Sequence, residues 1–223
     1  MTMAESVGYD GRVEPDGPWQ DRRDGALHVR KFSVEEMDNN VYLVRCSASN
    51  EGVLIDAAAQ PDRIREAIAD VDVVAVLQTH GHWDHVRAWD ALRKDPGVGI
   101  WGHPGDLDLF PRAPNRELAD GDIIDVGQLR VEVLHVPGHT PGSCCYLVHG
   151  DERDHLFTGD TLFPGGPGNT FGDADAFAQI MDGLEARVFG QFNDDTWVYP
   201  GHGRDTTLGR ERPHLPDWRE RGW

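Results

Sequence analysis

Cysteine, lysine and long apolar runs are all scarce in this chain. Cys46, Cys144 and Cys145 are the only cysteines, with no C-x-x-C spacing. An odd number that includes an adjacent pair makes a poor disulfide framework, so a reducing compartment suits the sequence. Positive charge is short as well: 21 Lys plus Arg face 39 Asp plus Glu, a formal charge of -18. Such a surface repels phosphate backbones and anionic headgroups, so neither nucleic acid nor a membrane is an expected partner. No segment reaches the roughly eighteen apolar residues of a membrane span, and the N-terminal MTMAESVGYDGRVEPDG lacks the apolar stretch of a secretory signal. A cytoplasmic location is the expectation.

A length of 223 residues suits one domain with a substantial core. Residues 1–25, rich in Gly, Pro, Asp and Arg without apolar periodicity, are expected to form an extended arm. A folded domain is expected over 26–208 and a polar C-terminal tail over 209–223. VYLVR (41–45) and GVLID (52–56) read as a strand pair. After Pro61, the i, i+3, i+4, i+7 spacing of Ile64, Ala67, Ile68 and Val71 predicts a helix. VVAVLQT (73–79) predicts a buried strand, VRAWDALRK (86–94) a helix, and 173–189 a helix with Phe177, Ile180, Met181, Leu184 and Val188 on one stripe. Further strands are expected at DIIDV, LRVEVLHV, SCCYLV, HLFTG and TWVYP. Runs of strands with helices between and after them argue for two packed sheets flanked by helices, an α/β sandwich rather than a doubly wound array.

The stretch LQTHGHWDHVRAWD (77–90) crowds His80, His82, Asp84 and His85 into six residues at the end of a strand. Residues two apart on a helix point about 200° apart, so His80 and His82 cannot share a helical face, but they can share a loop. Three more ligand-type residues repeat the context: His139 in LHVPGHTPG, Asp160 in HLFTGDTLF and His202 in WVYPGHG each follow an apolar run and sit in a Gly- or Pro-containing turn. Any one of these alone would be an ordinary loop residue. Seven of them at four strand ends, with H-x-H-x-D-H as the nucleus, point to a metal centre. His28, His103, His135, His149, His155 and His214 belong to no such cluster and are expected to be structural.

At THGHWDH, PGHTPGS, TGDTLF and YPGHG the chain resembles the metallo-β-lactamase superfamily. The resemblance covers about residues 26–208 and implies an αββα sandwich of two mixed sheets, with metals in a groove at one edge. It assigns His80, His82 and His139 to one metal and Asp84, His85 and His202 to a second. Asp160 becomes the bridging carboxylate, and Asp84 the catalytic residue that orients the attacking hydroxide and shuttles its proton. Imidazole and carboxylate donors suit two divalent ions, zinc first, with iron or manganese as alternatives. Two such cations generate a metal-bound hydroxide at neutral pH and polarise a carbonyl.

Within the superfamily, an aspartate at 160 points away from the β-lactamases that carry cysteine at the second metal, and PGHTPGS and TGDTLF resemble the glyoxalase II-like thioesterases and the persulfide dioxygenases. Glyoxalase II proper adds a C-terminal helical domain that binds glutathione, whereas 21 residues follow His202 here. The expected activity is hydrolysis of a small thioester, an acyl adduct of a low-molecular-weight thiol such as mycothiol or glutathione. An iron-dependent persulfide dioxygenase using His80, His139 and Asp160, a lactone or other ester hydrolase, and a non-catalytic metal-stabilised binding module stay open as alternatives. The sequence leaves the substrate-binding residues and the oligomeric state undetermined.

Overall fold

The computed structural model describes residues 9–222. The first eight residues of the expected arm, and Trp223 at the end of the expected tail, lie outside the described residues.

Seven strands form the first sheet in chain order: β1 (Gln20–Asp24), β2 (Leu27–Val34), β3 (Asn39–Cys46), β4 (Glu51–Ile55), β5 (Asp72–Leu77), β6 (Ile100–Gly102) and β7 (Arg116–Glu117). β1 to β4 run as an antiparallel meander, and β4 to β7 pair in parallel through crossovers. The second sheet starts with the antiparallel strands β8 (Ile123–Val126), β9 (Leu129–His135), β10 (Cys144–His149) and β11 (Asp154–Gly159). After a two-stranded ribbon of β12 (Leu162–Phe163) and β13 (Gly166–Pro167), β14 (Trp197–Pro200) joins β11 in parallel, and β15 (Thr206–Thr207) closes that edge.

Strand alternation divides the core into three layers. Tyr42 and Val44 of β3, Val131 and Val133 of β9, and Tyr146 of β10 fill the space between the sheets. Val41 and Leu43 point the other way, beneath the helix α1 (Pro61–Ile68) and the single turn α2 (Trp89–Leu92). Leu134, Cys145 and Leu147 pack under α3 (Ala174–Gly183). The same alternation sends Cys144 into the middle layer and its neighbour Cys145 into the outer one, so the pair cannot bond, and all three cysteines are free and buried. The result is the expected αββα sandwich. No described helix is long and apolar enough to cross a membrane.

The chain departs from the expected elements where polar groups decide the local structure. Residues 20–24, placed in the arm by composition, form β1 at the sheet edge. Asp24 accepts hydrogen bonds from the amides of Glu152 and Arg153 and from His155 Nε2, and Arg22 stacks over Trp197 at 3.6 Å. The strand is thus fastened to the second sheet by charged side chains that carry no apolar periodicity. The tail is likewise part of the body: α4 (Leu208–Glu211) and α5 (Leu215–Arg221) bring Trp218 to 3% exposure against the outer layer. The helix expected at 86–94 shrinks to one turn because the amides of Arg87 and Ala88 bond the carbonyls of Ala58 and Ala57 instead of a helical ladder. The helix expected over 173–189 begins at Ala174, with Asp173 accepting from the amides of Asp175 and Ala176, and widens to a π-helical stretch over Leu184–Phe189.

The Asp24 clasp predicts a pH-dependent stability. Burial pushes the Asp24 carboxyl up, but the bonds from His155 and the two amides prevail and hold it below the usual carboxylate range. A depressed folded-state value stabilises the fold above the unfolded value of about 3.9 and loses that contribution as pH falls through the folded one. Asp24→Asn is therefore expected to cost about 1–3 kcal/mol at pH 7. The difference from the parent protein should shrink in urea denaturation repeated below pH 4.

Candidate metal centre

The parallel strands β4, β5, β6, β11 and β14 all end at one edge of the sandwich, and the loops that leave them converge there. The loop after β5 carries His80, His82, Asp84 and His85. The β9–β10 connection carries His139, Asp160 follows β11, and His202 follows β14. All seven sequence-derived candidates come together. His80, His82 and His139 present ligand atoms within 4.8 Å of one another, as do Asp84, His85 and His202, and Asp160 groups with His80 and His85. Asp160 faces both trios: its Oδ2 lies 3.5 Å from His139 Nε2, and its Oδ1 lies 3.4 Å from His85 Nε2. Gly201 makes this approach feasible, since a Cβ there would sit 2.1 Å from Asp160 Oδ1.

Four of the five rings are aimed from behind. His139 Nδ1 donates to the Asn169 carbonyl and His202 Nδ1 to the Met37 carbonyl, both at 2.8 Å. His85 Nδ1 donates to Asp56 Oδ2 at 2.8 Å. Thr79 Oγ1 gives its proton to the same Asp56 oxygen and so accepts from His80 Nδ1 at 3.0 Å. These bonds fix the tautomers and leave four Nε2 lone pairs facing inward, the arrangement that backs imidazole ligands in metal sites.

The electrostatics divide the site into two halves. Burial pushes the imidazoles of His80, His82 and His139 below their ordinary range, so they are neutral donors at pH 7. Burial acts the same way on His85 and His202, but carboxylates outweigh it: Asp160 and Asp56 raise His85, and Asp160 and Asp84 raise His202 to about 9. Asp84 and Asp160 are held well below the carboxylate range despite burial, mainly by the imidazoles of His202 and His85. His85 Nε2 and His202 Nε2 are 3.1 Å apart, which leaves room for one proton between them. Within this cluster three buried atoms, His80 Nε2, His139 Nε2 and Asp160 Oδ1, have no hydrogen-bond partner. Buried polar groups are rarely left so, because each costs free energy unless paired. Unpaired lone pairs beside carboxylates that draw in positive charge fit divalent cations, and the nitrogen and oxygen donors suit zinc, iron or manganese.

A model of the metallo-β-lactamase superfamily matches residues 34–202. The chain belongs to this superfamily. It is 30% identical over 210 residues to hydroxyacylglutathione hydrolase GloC of Haemophilus influenzae, covering 85% of this chain and 97% of that one. Among solved structures, ETHE1 from Myxococcus xanthus superposes with a TM-score of 0.73 at 33% identity, covering 84% of this chain and 83% of the other. TTHA1623 in a di-iron-bound form gives 0.67 at 30% identity, covering 81% and 95%.

Sequence reading missed the groups that brace this superfamily centre. Asp56, which ends GVLID, is buried and also accepts from Gln78 Nε2 and the Thr79 amide. It follows an apolar strand just as Asp160 does, and that was an available signal. Asp106 sits in a loop-rich stretch with no periodicity to reveal it. It is fully buried and accepts from the Gly81 amide, Thr140 Oγ1 and the Gly142 amide, tying the His80–His85 loop to the His139 loop. Asn39 at the start of β3 donates from Nδ2 to Asp84 Oδ2 at 3.1 Å. The six structural histidines stay outside the cluster, and His155, for example, joins Asp24 to Tyr199. A groove of about 860 Å³ opens beside His139, between Pro141 and the start of α3.

Asp106→Ala strands three buried donors and is expected to cost about 3 kcal/mol or more. Because its bonds hold the two loops of the first trio, metal affinity there should fall at least tenfold, the scale seen when groups supporting metal ligands are removed. Chelator competition alongside chemical denaturation measures both. Loss of stability with unchanged affinity would show that Asp106 holds the fold but not the ligands.

Proposed function

We propose that this protein is a dinuclear metallohydrolase that cleaves small thioesters, with His80, His82 and His139 holding one divalent ion, Asp84, His85 and His202 a second, and Asp160 between them. The observation that carries this reading is the placement of one carboxylate against two separate trios of ligand atoms. Its support among relatives is the hydroxyacylglutathione hydrolase named above. Zinc is the proposed metal, with iron or manganese as the alternatives.

When bound, the two ions supply Lewis acidity and bring the pKa of a bound water from 15.7 to about 7. Asp84 acts as the positioning base. Its carboxylate is fixed by Asn39 and lies 3.3 Å from His202 Nε2, so it orients the attacking water and accepts the proton. Water adds to the thioester carbonyl and the C–S bond breaks. The acyl group leaves as a carboxylic acid, and the proton held by Asp84 passes to the departing sulfur to give the free thiol. The groove beside His139 borders this site and gives the substrate a way in.

A second reading draws on one specific feature. The three partnerless atoms belong to His80, His139 and Asp160, the set a persulfide dioxygenase would use around a single iron. Oxygen consumption with a persulfide separates it from thiol release without oxygen.

Asp160→Asn removes the anionic charge between the trios. Metal content should fall below two ions per chain and thioester turnover by at least a hundredfold, while far-ultraviolet circular dichroism stays unchanged, because the core layers close without the metal. Unaltered two-metal stoichiometry and unaltered turnover would remove the dinuclear hydrolase reading.

A further inference from the structure

The large apolar side chains left exposed are, but for one, carried on the segments that build the candidate metal centre. Among the described residues these are Met37, Trp83, Leu107, Leu109, Ile123 and Phe171. Ile123 lies on β8, the edge strand of the second sheet. The other five sit on the segments that build the metal centre. Trp83 stands between His82 and Asp84, and the Met37 carbonyl holds His202. Leu107 and Leu109 flank the turn anchored by Asp106, and Leu109 packs so closely on Gly81 that a Cβ there would lie 2.5 Å from its own. Scattered exposed apolar residues need no explanation, but several carried on the loops that bound one cleft point to a binding surface.

Phe171 is the most exposed of them, at 71%, and its backbone carries the second signal. Its φ is +56°, in the left-handed region that disfavours a bulky side chain. The turn is enforced by Asn169, whose Oδ1 accepts from the Phe171 amide at 2.7 Å while its carbonyl accepts from His139 Nδ1. The loop that aims a ligand thus also projects an aromatic ring, whose centroid lies 5.7 Å from that of His82 and 6.1 Å from that of His139. Across the centre, Phe163 faces His202 at 6.3 Å. Both trios therefore have a phenyl ring beside them. An exposed aromatic side chain in an unfavourable backbone conformation is the kind of outlier that points to function rather than to stability.

We infer that the rim of this cleft selects the acyl half of the substrate, and that the acyl group is bulky and apolar, aryl or medium-chain alkyl, rather than a short hydroxyacyl group. The inference rests on the thioester hydrolase reading and gives it a substrate class. A ring or chain lying against Phe171 removes more apolar surface from water on both partners than a hydroxyl-bearing two- or three-carbon acyl group does. The cation beside Trp83, Arg87, is already paired with Glu35, so this flank offers the substrate apolar surface rather than an unpaired charge.

The test uses the full-length, metal-loaded protein and one thiol, N-acetylcysteamine, esterified with acetate, lactate, hexanoate and phenylacetate. The kcat/KM for hexanoyl and phenylacetyl should exceed that for acetyl and lactoyl at least tenfold. Phe171→Asn, a residue that tolerates left-handed backbone, should cut this selectivity ratio about tenfold, and Phe171→Leu should retain most of it. Equal kcat/KM across the series overturns the inference and leaves the thioester reading standing. If no thioester is cleaved, the hydrolase reading fails instead. Binding of phenylacetate against acetate, followed by tryptophan fluorescence, then decides the rim: preference for phenylacetate that is lost in Phe171→Asn supports it, and equal binding overturns it. A change in sedimentation on Phe171→Asn with unchanged acyl selectivity would assign the rim to contact between copies of the chain and also overturn the inference.

Discussion

A single carboxylate, that of Asp160, sets the demands the rest of this molecule meets. It is 13% exposed, ionised, and surrounded by imidazoles of His80, His85, His139 and His202 drawn from three different loops. An unpaired charge in that position would be intolerable, since its desolvation has to be offset by opposite charge or by hydrogen bonds. Asp160 Oδ1 has no hydrogen-bond partner, so the compensation is electrostatic. Every element that ends at this edge therefore delivers something toward it or holds something that does, and the glycine at 201 is there because a side chain would occupy the carboxylate's own space.

The loops that carry the ligands are irregular, and irregular backbone needs its polar groups satisfied from outside. Three buried carboxylates supply this. Asp56 gathers Gln78, Thr79 and His85, and Asp106 joins the loops of His80 and His139. Asp205 pairs with the fully buried Lys31, whose ammonium also donates to the Gly203 carbonyl beyond His202 at 2.7 Å and to the Gly11 carbonyl at 3.0 Å. Lysine is rarely buried without a partner. Here its three donors are all used, on the loop of His202, on the N-terminal segment and on an acid. The segment before β1 is thereby bound into the architecture that supports His202.

What was legible in the sequence follows from this division of labour. The candidate ligands are readable because metal chemistry restricts residue type and because strand ends restrict position, so His80, His82, Asp84, His85, His139, Asp160 and His202 stand out together, and the fold brings them to one place. The sandwich was readable from alternation, as at Tyr42 and Val44 against Val41 and Leu43. The supporting carboxylates were not, because an aspartate that accepts backbone amides looks like any loop aspartate until the loops are brought together in space. β1 and the helix of Trp218 were missed for a related reason: their attachment is made by Asp24, Arg22 and one indole rather than by a periodic apolar face. Asn39 is hidden at the start of a strand that reads as a packing element from Val41 to Val44.

The two halves of the centre are also unlike in charge, and that asymmetry bears on the chemistry. One trio is all imidazole, neutral at pH 7 and open to a cation without proton competition. The other includes Asp84 and has His202 raised to about 9 by its carboxylates, so a cation there must displace a proton. Two divalent ions, if bound against Asp84 and Asp160 as proposed, would leave net positive charge in a site whose walls exclude much of the solvent. Such a field favours a transition state in which negative charge develops on a carbonyl oxygen more than it favours the neutral substrate. Asp84 adds its carboxylate to the second trio alone, whereas Asp160 faces both, so with two ions bound the all-imidazole half would be the more electropositive. In the proposed hydrolysis an oxyanion would be best accommodated there, on the side where Phe171 stands over His82 and His139.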